Sequence, residues 1–280
     1  MACGILSTRM DAAETIVVGR SSLLARDFVA RHPELVLRVL GHAEADEAKN
    51  YEGARCVLNF AFAPDLEFLP YQPALDIDLR IAEHVAARGI HYVMLSSRRV
   101  YAQQAQWNAA ESMPVPGMDT YGRNKARAES RLRERLGQHL TILRPGNVIG
   151  YEPVAGRRRF GAYLQHQLLT QGRIHLTIDP SSRKDLVPAE FFNLALRETV
   201  LRRPSGIFNV GSGRATSSGD AARWLLEGYG GGELRSEATQ PPDEFQLDCT
   251  RLREAFGLVC GEKEVEGALH EIGRRLAQSR

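Results

Sequence analysis

The first half of the chain alternates short apolar runs with amphipathic stretches. Apolar runs rich in β-branched residues predict buried strands at 15–19, 35–40, 56–62, 91–97 and 140–150. Apolar residues at helical spacing predict helices from 21 to the residue before Pro33, at 73–89 and at 121–136. This alternation predicts βαβ units and a parallel sheet with helices on both faces.

After Gly150 the alternation is less regular. The pattern predicts a helix at 163–170, short strands at 175–178 and 207–211, a flexible turn at 228–234 and a final helix at 264–277. We therefore predict an α/β fold, a Rossmann-type doubly wound parallel sheet with a smaller C-terminal substrate-binding part. The predicted dinucleotide-binding domain is 1–150 with 186–213, and the predicted substrate-binding domain is 151–185 with 214–280.

Composition narrows the class of protein without identifying it. The 280 residues are 43% apolar and 25% charged, as in ordinary globular proteins, and the net charge of +2 does not indicate nucleic acid or a membrane surface as a partner. Four scattered cysteines without a C-x-x-C pair, and histidines without ligand spacing, predict no metal site. The start of the chain does not resemble a signal peptide and no apolar run has membrane-spanning length, so we expect a cytoplasmic protein.

A glycine turn follows the first predicted strand. Gly19, Ser22 and Ala25 stand at the positions of the three glycines of a dinucleotide-binding turn, where a pyrophosphate meets a helix N-terminus. Serine at the second position crowds that approach, so an ordinary strand-to-helix turn remains an equal alternative. No carboxylate near His42 is predicted to bind the ribose of NAD. Arg20 favours a ribose phosphate, and hence NADP over NAD, with a solvated arginine as the alternative.

Tyr121 and Lys125 are four residues apart at the start of a predicted helix and therefore share one face, one turn apart. A phenol is a weak acid, and a nearby ammonium favours its ionised form, which suits general acid-base chemistry. Ser97 ends the strand predicted at 91–97 and is expected at the carboxyl edge of the sheet, where it can hold a substrate oxygen. An exposed helical pair is the alternative for a tyrosine and lysine at this spacing.

Seven segments between Ile16 and Leu258 resemble a known family. They are VVGRSSLLARDFV (17–29), CVLNFAF (56–62), YVMLSSRRVY (92–101), YGRNKARAE (121–129), LTILRPGNVIG (140–150), RKDLVPAEFF (183–192) and GIFNVGSG (206–213). They resemble the extended short-chain dehydrogenases/reductases, which include sugar-nucleotide epimerases, dehydratases and ketoreductases. CVLNFAF resembles the fourth strand of that family.

The resemblance implies a role for each candidate residue. Tyr121 is the implied acid-base, Lys125 orients the nicotinamide ribose, and Ser97 polarises the reacting oxygen. The implied cofactor-binding residues are Gly19, Arg20, Ser22, Leu23, Leu24, Phe60, Ala61, Tyr121, Lys125 and Pro145. The implied substrate-binding residues are Ser97, Arg98, Asn147 and Arg183, of which Arg183 contacts the nucleotide diphosphate.

Arg98 and Arg99 depart from the family pattern. The 4,6-dehydratases carry an Asp-Glu pair at this point, so dehydration is disfavoured. A guanidinium binds a phosphate or carboxylate through paired hydrogen bonds. We hypothesise that Arg98 binds an anionic group of the substrate, with a surface arginine as the alternative.

The predicted function is that of an NAD- or NADP-dependent oxidoreductase or epimerase acting on a nucleotide-activated sugar by hydride transfer. The rival is a non-catalytic regulator that binds a dinucleotide or sugar nucleotide through an altered glycine turn. The resemblance implies a homodimer through the helical residues 75–88 and 121–136, with packing of their apolar residues in the core as the alternative.

Overall fold

The structure, a computed structural model, describes residues 14–152 and 159–279. Residues 1–13, on which the expectation about a signal peptide partly depends, lie outside the described residues. In the described ranges, none of the helices combines the length and the apolar character needed to cross a membrane.

Strands and helices alternate through most of the described chain. Its strands are β1 (Thr15–Val18), β2 (Leu37–Leu40), β3 (Cys56–Asn59), β4 (His91–Leu95), β5 (Leu140–Pro145), β6 (Asn147–Ile149), β7 (Arg173–Leu176), β8 (Arg183–Pro188), β9 (Gly206–Val210), β10 (Ala215–Ser217) and β11 (Glu233–Ser236). Its α-helices are α1 (Leu23–Arg31), α2 (Ile77–Ala86), α3 (Thr120–Leu136), α4 (Phe160–Gln171), α5 (Ala189–Arg202), α6 (Ser218–Tyr229), α7 (Thr250–Phe256) and α8 (Glu262–Gln278).

Six of the described strands form one parallel sheet in the order β2-β1-β3-β4-β5-β9. The chain places β2 on one side of β1 and then crosses to place β3 on the other side. This arrangement confirms the predicted Rossmann-type α/β fold. In such sheets ligands bind in the crevice where the strand order reverses, beyond the carboxyl ends of the strands. That crevice lies here between β1 and β3.

The sheet is shorter at one edge than the usual Rossmann sheet. In the usual order 3-2-1-4-5-6, a further strand lies outside the second one. Within the described residues no strand pairs with the outer side of β2. β3 therefore takes the place next to β1 that the fourth strand has in that order, in agreement with the resemblance of CVLNFAF to a fourth strand.

Apolar side chains cover both faces of the sheet, because successive residues of a strand point to opposite faces. Val17 of β1 lies in one core with Phe28 of α1 and Phe192 of α5. Its neighbours Ile16 and Val18 lie in a second core, with the apolar residues of α2 and α3. β1 is buried at every position, and its last three residues, Ile16 to Val18, are all apolar, which is why its sequence shows no polar alternation.

The segment predicted as one strand at 140–150 is divided between two sheets. β5 belongs to the main sheet, whereas β6 pairs with β8 in a smaller sheet of order β10-β8-β6. Gly146 lies between the two strands, and its N–H donates to Val210 O at 2.9 Å. The prediction of a flexible turn at 228–234 is wrong at both ends. α6 extends to Tyr229, and β11 begins at Glu233 and pairs with β7. The predicted division into two domains stays a prediction.

A buried ion pair joins β5 to α3. Arg144 and Glu129 are each 2% exposed, and Arg144 Nε donates to Glu129 Oε1 at 3.0 Å while Nη2 donates to Oε2 at 2.5 Å. Arg144 Nη1 also donates to Tyr101 Oη at 3.0 Å, and Tyr101 Oη donates to Asn209 of β9 at 2.7 Å. Ser96 Oγ donates to Glu129 at 2.5 Å. This network fixes α3 against the carboxyl ends of three strands.

We predict that Arg144→Met destabilises the fold strongly, because it leaves the Glu129 carboxylate buried without a partner. The free energy of unfolding, measured by urea denaturation, should fall by about 3–5 kcal/mol. Arg135→Met is the matched control, since Arg135 pairs with Glu83 at the surface, and it should cost less than about 1 kcal/mol. Equal losses in the two variants would contradict a stabilising role for the buried pair.

Candidate cofactor and catalytic site

The residues predicted from sequence to bind cofactor or act in catalysis lie along one edge of the main sheet. Parallel strands present their carboxyl ends at the same edge. The residues that follow or end these strands are Gly19 to Leu24 after β1, Phe60 and Ala61 after β3, Ser97 after β4, and Pro145 at the end of β5. Tyr121 and Lys125 lie on α3, which connects β4 to β5.

The glycine turn packs tightly against the loop that follows β3. Gly19 has a φ of +112°, and a Cβ there would lie 3.0 Å from Ala61 N, so a side chain at this position would be strained and crowded. Ser22 closes the turn by donating from N to Gly19 O at 2.8 Å. Its Oγ accepts from Ala25 N at 3.5 Å and caps α1. The serine that replaces the second glycine therefore serves as the helix cap.

A carboxylate does lie at the end of β2, contrary to the prediction from the sequence. Glu44 folds back in a short 3-10 turn, and its Oε2 accepts from Gly41 N at 2.6 Å and from Arg20 Nη2 at 2.7 Å. The Gly41 hydrogen bond and Arg20 lower the pKa of Glu44 below its ordinary value. Arg20 also donates to Val39 O at 2.9 Å. The arginine expected to meet a ribose phosphate is thus paired within the chain.

The turn that carries Ser97 lies against the start of α3. Ser97 Oγ accepts from Arg99 N at 3.2 Å, and Arg99 Nε donates to Asp119 Oδ2 at 2.6 Å. Asp119 Oδ1 in turn caps α3 by accepting from Gly122 N at 2.8 Å. A Cβ at Gly122 would overlap the carbonyl oxygen of Arg99. Glycine at 122 therefore permits the close approach of the two segments that carry Ser97 and Tyr121.

Lys125 points into a buried polar cluster. Its Nζ donates to Asp78 Oδ2 at 3.2 Å, and both side chains are 5% exposed. Asp78 Oδ1 accepts from Asn59 at 2.7 Å and from Tyr92 Oη at 2.8 Å. Burial opposes the charge on Lys125, but Asp78 and Asp76 help to outweigh it and hold the pKa of Lys125 above its ordinary value. The ammonium is therefore charged and anchored to α2.

Phe62 lies between the two candidate catalytic residues of α3. Its ring packs edge-on against the Tyr121 ring, with centroids 5.1 Å apart, and lies 4.9 Å from Lys125 Nζ. Arg99 lies over Tyr121, with its guanidinium carbon 4.8 Å from the ring centroid. Tyr121 is half-buried. Aromatic and cation–π contacts thus fix the tyrosine ring from two sides.

Sequence reasoning missed Asp78 and Phe62. Asp78 carried a usable signal, because it lies on the same helical face as Ile81, Ala82 and Val85, all of them buried. A charged residue on an apolar helical stripe needs a buried partner. Phe62 carried no such signal, since it ends an apolar run and resembles its neighbours in type.

The residues predicted to bind substrate have different surroundings. Arg98 is buried, and its guanidinium donates to Asp243 and to Gln106, each at 2.6 Å. Asn147 is half-buried at the start of β6, and Arg183 is exposed at the start of β8. These two strands are neighbours in the smaller sheet. Their roles toward a substrate stay predictions.

Two further features bear on ligands. In residues 14–152 and 159–279, no group of three or more His, Cys, Asp or Glu side chains is arranged to hold a metal ion. A cavity of about 780 Å³ lies beside the loop that follows β9 and is lined mainly by residues 211–214, 247–250, 252–253 and 258–264. Ser97, Tyr121 and Lys125 do not line it.

The sheet order and its crevice define the chain as a doubly wound, Rossmann-type α/β protein. It matches no protein-family model and no curated protein. Among solved structures it is similar to three nucleotide-sugar enzymes. The first is a UDP-N-acetylglucosamine 4-epimerase from Methanobrevibacter ruminantium M1, with a TM-score of 0.81 and 15% identity over 97% of this chain and 100% of that one. The second is the NAD-dependent NDP-hexosamine 5,6-dehydratase TunA of tunicamycin biosynthesis, with a TM-score of 0.77 and 18% identity over 96% of this chain and 98% of that one. The third is a UDP-glucose 4-epimerase from Thermus thermophilus in complex with NAD, with a TM-score of 0.73 and 18% identity over 93% of this chain and 99% of that one.

These similarities extend over nearly the whole chain and show a shared fold. These three structures are epimerases and a dehydratase that act on sugar nucleotides, and at 15–18% identity they share with this chain the fold that the resemblance implies. The first structure binds UDP-N-acetylmuramic acid and the third binds NAD.

We predict that Asp78 and Lys125 stabilise the fold as a pair. Asp78→Asn and Lys125→Met should each lower the free energy of unfolding by about 3 kcal/mol, because each leaves a buried group without its partner. The double variant should lose less than the sum, with a coupling energy of about 0.5–3 kcal/mol from urea denaturation. Strictly additive losses would mean that the lysine does not depend on Asp78.

Proposed function

We propose that the chain is an NAD-dependent oxidoreductase or epimerase that acts on a nucleotide-activated sugar. The observation that carries this proposal is the position of Tyr121 and Lys125, one turn apart on α3, beside the turn of Ser97. All three lie at the edge of the sheet where the strand order creates a binding crevice. The shared fold with nucleotide-sugar epimerases and dehydratases supports the substrate class.

Each of the three residues has a distinct chemical task in this proposal. The Tyr121 hydroxyl exchanges a proton with a sugar hydroxyl as that carbon is oxidised or reduced. Ser97 Oγ hydrogen-bonds to the reacting oxygen. Lys125 supplies a fixed positive charge one helical turn from Tyr121, and Asp78 keeps that charge in place. Bound NAD would supply a reversible hydride acceptor.

Residues on the chain fit a dinucleotide along the β1–β3 crevice. Gly19 allows the close approach of the two loops, and Leu23 and Leu24 begin the helix whose N-terminus faces that crevice. Glu44 stands where an acidic residue binds the ribose hydroxyls of NAD. A 2′-phosphate would meet this carboxylate, so we favour NAD over the NADP suggested by Arg20 alone.

We predict that Glu44→Gln raises the affinity for NADP relative to NAD. The change removes repulsion between the carboxylate and the 2′-phosphate and releases Arg20 to bind that phosphate. The ratio of the two dissociation constants, measured by calorimetry, should shift by about tenfold or more toward NADP. Glu47→Gln, which disrupts the neighbouring surface pair with Lys49, should leave the ratio unchanged. A ratio equally unchanged in Glu44→Gln would contradict a role in cofactor choice.

The proposed function is tested first by ligand binding. A ligand that binds only the folded protein raises its thermal stability. NAD, NADP and UDP-, dTDP- and GDP-sugars should be screened by thermal shift, singly and in pairs, followed by turnover of each binding sugar. We expect stabilisation by NAD and by at least one nucleotide sugar. No response to any of them would overturn the proposal.

We predict that Tyr121→Phe lowers kcat on the sugar found in that screen by about 10²- to 10⁴-fold, because the general acid-base is lost. NAD binding, measured by the same thermal shift, should be largely retained, since the ring and its contacts remain. Tyr163→Phe removes a hydroxyl from an exposed tyrosine on α4 and should keep wild-type kcat. An unaltered kcat in Tyr121→Phe would remove this residue from the chemistry.

A second candidate is a non-catalytic protein that binds a dinucleotide or sugar nucleotide. One observation favours it: Ser22 caps the helix where the family has a glycine. Binding of NAD and a nucleotide sugar without turnover of any sugar in the screen would select this candidate.

The homodimer and the cytoplasmic location also stay proposals. The apolar residues of α2 and α3 that suggested a partner surface are buried in the protein's own core, among them Ile81, Val85, Leu132 and Leu136. The outward positions of α3 carry Arg123, Arg127, Arg131 and Arg135 instead. Core packing, the alternative weighed from the sequence, accounts for these apolar residues.

A further inference from the structure

Two buried cations meet one carboxylate next to the residue that follows Ser97. Arg98 and Lys184 have side chains that are 8% and 5% exposed. Asp243 Oδ2 lies 2.6 Å from Arg98 Nη2 and 3.7 Å from Lys184 Nζ. Burial lowers the pKa of both Arg98 and Lys184, because a charged group loses hydration in the interior. A single side-chain anion therefore bridges two cations that are costly to bury.

The cations and the anion come from different kinds of structure. Lys184 belongs to β8, and Arg98 is held by Gln106 and by the ring of Phe245, 3.6 Å from its guanidinium carbon. Asp243 belongs to residues 237–244, which have no regular secondary structure, and its side chain is 41% exposed. The cations are thus built into the framework, whereas the carboxylate reaches them from a surface segment.

The other carboxylates near Arg98 and Lys184, those of Asp119 and Glu244, have partners of their own. Asp119 is paired with Arg99. Glu244 Oε1 accepts from the backbone N of Arg183 at 3.0 Å. Within the described part of the chain, Asp243 is therefore the carboxylate that forms an ion pair with both cations. Its Oδ2 accepts a hydrogen bond from Arg98, whereas Lys184 Nζ donates to the backbone oxygen of Asp243 at 2.5 Å.

The position of the pair indicates which part of a substrate would meet it. Arg98 follows Ser97, the residue proposed to hold the reacting sugar oxygen, and its Nη1 lies 3.9 Å from Met118 Sδ, just before the cap of α3. Arg183, predicted to contact the diphosphate, is exposed at the start of β8. On the roles proposed for Ser97 and Arg183, a group bound by Arg98 next to Ser97 would belong to the sugar rather than to the diphosphate.

We infer that Arg98 and Lys184 bind a carboxylate carried by the sugar of the substrate, and that Asp243 occupies this site in the free protein. The inference rests on the proposed function and narrows its substrate class to nucleotide-activated sugar acids. Guanidinium and ammonium groups bind a carboxylate through charge-assisted hydrogen bonds. The incoming carboxylate replaces that of Asp243, so the buried cations keep an anionic partner throughout.

The test compares two ligands that differ only at C6 of the sugar. UDP-glucuronate carries a carboxylate where UDP-glucose carries a hydroxymethyl group. With NAD present, calorimetry should give UDP-glucuronate a dissociation constant lower by about tenfold or more, as charge-assisted hydrogen bonds provide. Equal affinities overturn the inference but leave the proposed function intact. Binding of neither ligand overturns the nucleotide-sugar function and, with it, this inference.

Three variants separate a binding role from a structural one. Lys184→Met keeps the length and burial of the side chain and should bring the ratio of the two affinities close to one. Lys49→Met removes a surface lysine paired with Glu47 and should keep the wild-type ratio. Asp243→Asn should tighten UDP-glucuronate binding several-fold, roughly the effect of removing an internal competitor, without tightening UDP-glucose.

The direction of the change in UDP-glucuronate affinity in Asp243→Asn distinguishes a binding role of the cations from a structural one. A purely structural ion pair predicts equal or weaker binding of both ligands, and that result would overturn the inference. If Lys184→Met weakens both ligands to the same extent, the pair contacts the shared diphosphate, and the assignment to a sugar carboxylate is wrong.

Discussion

The buried ion pair between Arg144 and Glu129 determines where α3 lies, and α3 carries both Tyr121 and Lys125. Two charges in the interior lose their hydration, so each requires the other and a full set of hydrogen bonds. The pair meets this requirement through Tyr101 and Ser96, which belong to the segment after β4. Because these partners come from β5, α3 and that segment, the helix has one favourable position against the sheet edge.

Two further ion pairs hold the same helix, one at its start and one on the buried side that faces α2. Arg99 and Asp119 fix the first turn beside Ser97, and Asp78 fixes Lys125 from α2. Gly122 makes the first of these contacts sterically feasible. The four-residue spacing of Tyr121 and Lys125 therefore determines only part of their arrangement. The charges and the glycine around it place the tyrosine and lysine relative to the strand ends.

The strands of the main sheet could be predicted from the sequence, whereas the contacts between strands and helices that are distant in sequence could not. Apolar runs such as TIVV predict buried strands because every side chain of β1 is covered. The division of 140–150 between two sheets could not be predicted, since apolar residues occur on both sides of Gly146, as in Ile142 and Leu143 before it and Val148 and Ile149 after it, and only the partner strands differ. α5, α6 and α7 were missed because the segments after Gly150 were interpreted by their motifs, and Phe191 and Phe192 were assigned to a motif rather than to the apolar face of a helix.

A shared feature explains why the ligand contacts could not be read directly from the chain. Three of the cations expected to meet a ligand are each paired with a carboxylate that is distant in sequence: Arg20 with Glu44, Lys125 with Asp78 and Arg98 with Asp243, separated by 24, 47 and 145 residues. Ligand binding at such a site is an exchange of one anion for another. Its free energy therefore depends on how firmly each internal carboxylate is held. Asp78 is buried and accepts three hydrogen bonds, whereas Asp243 is partly exposed on an irregular segment. Exchange is consequently easier at Arg98 than at Lys125.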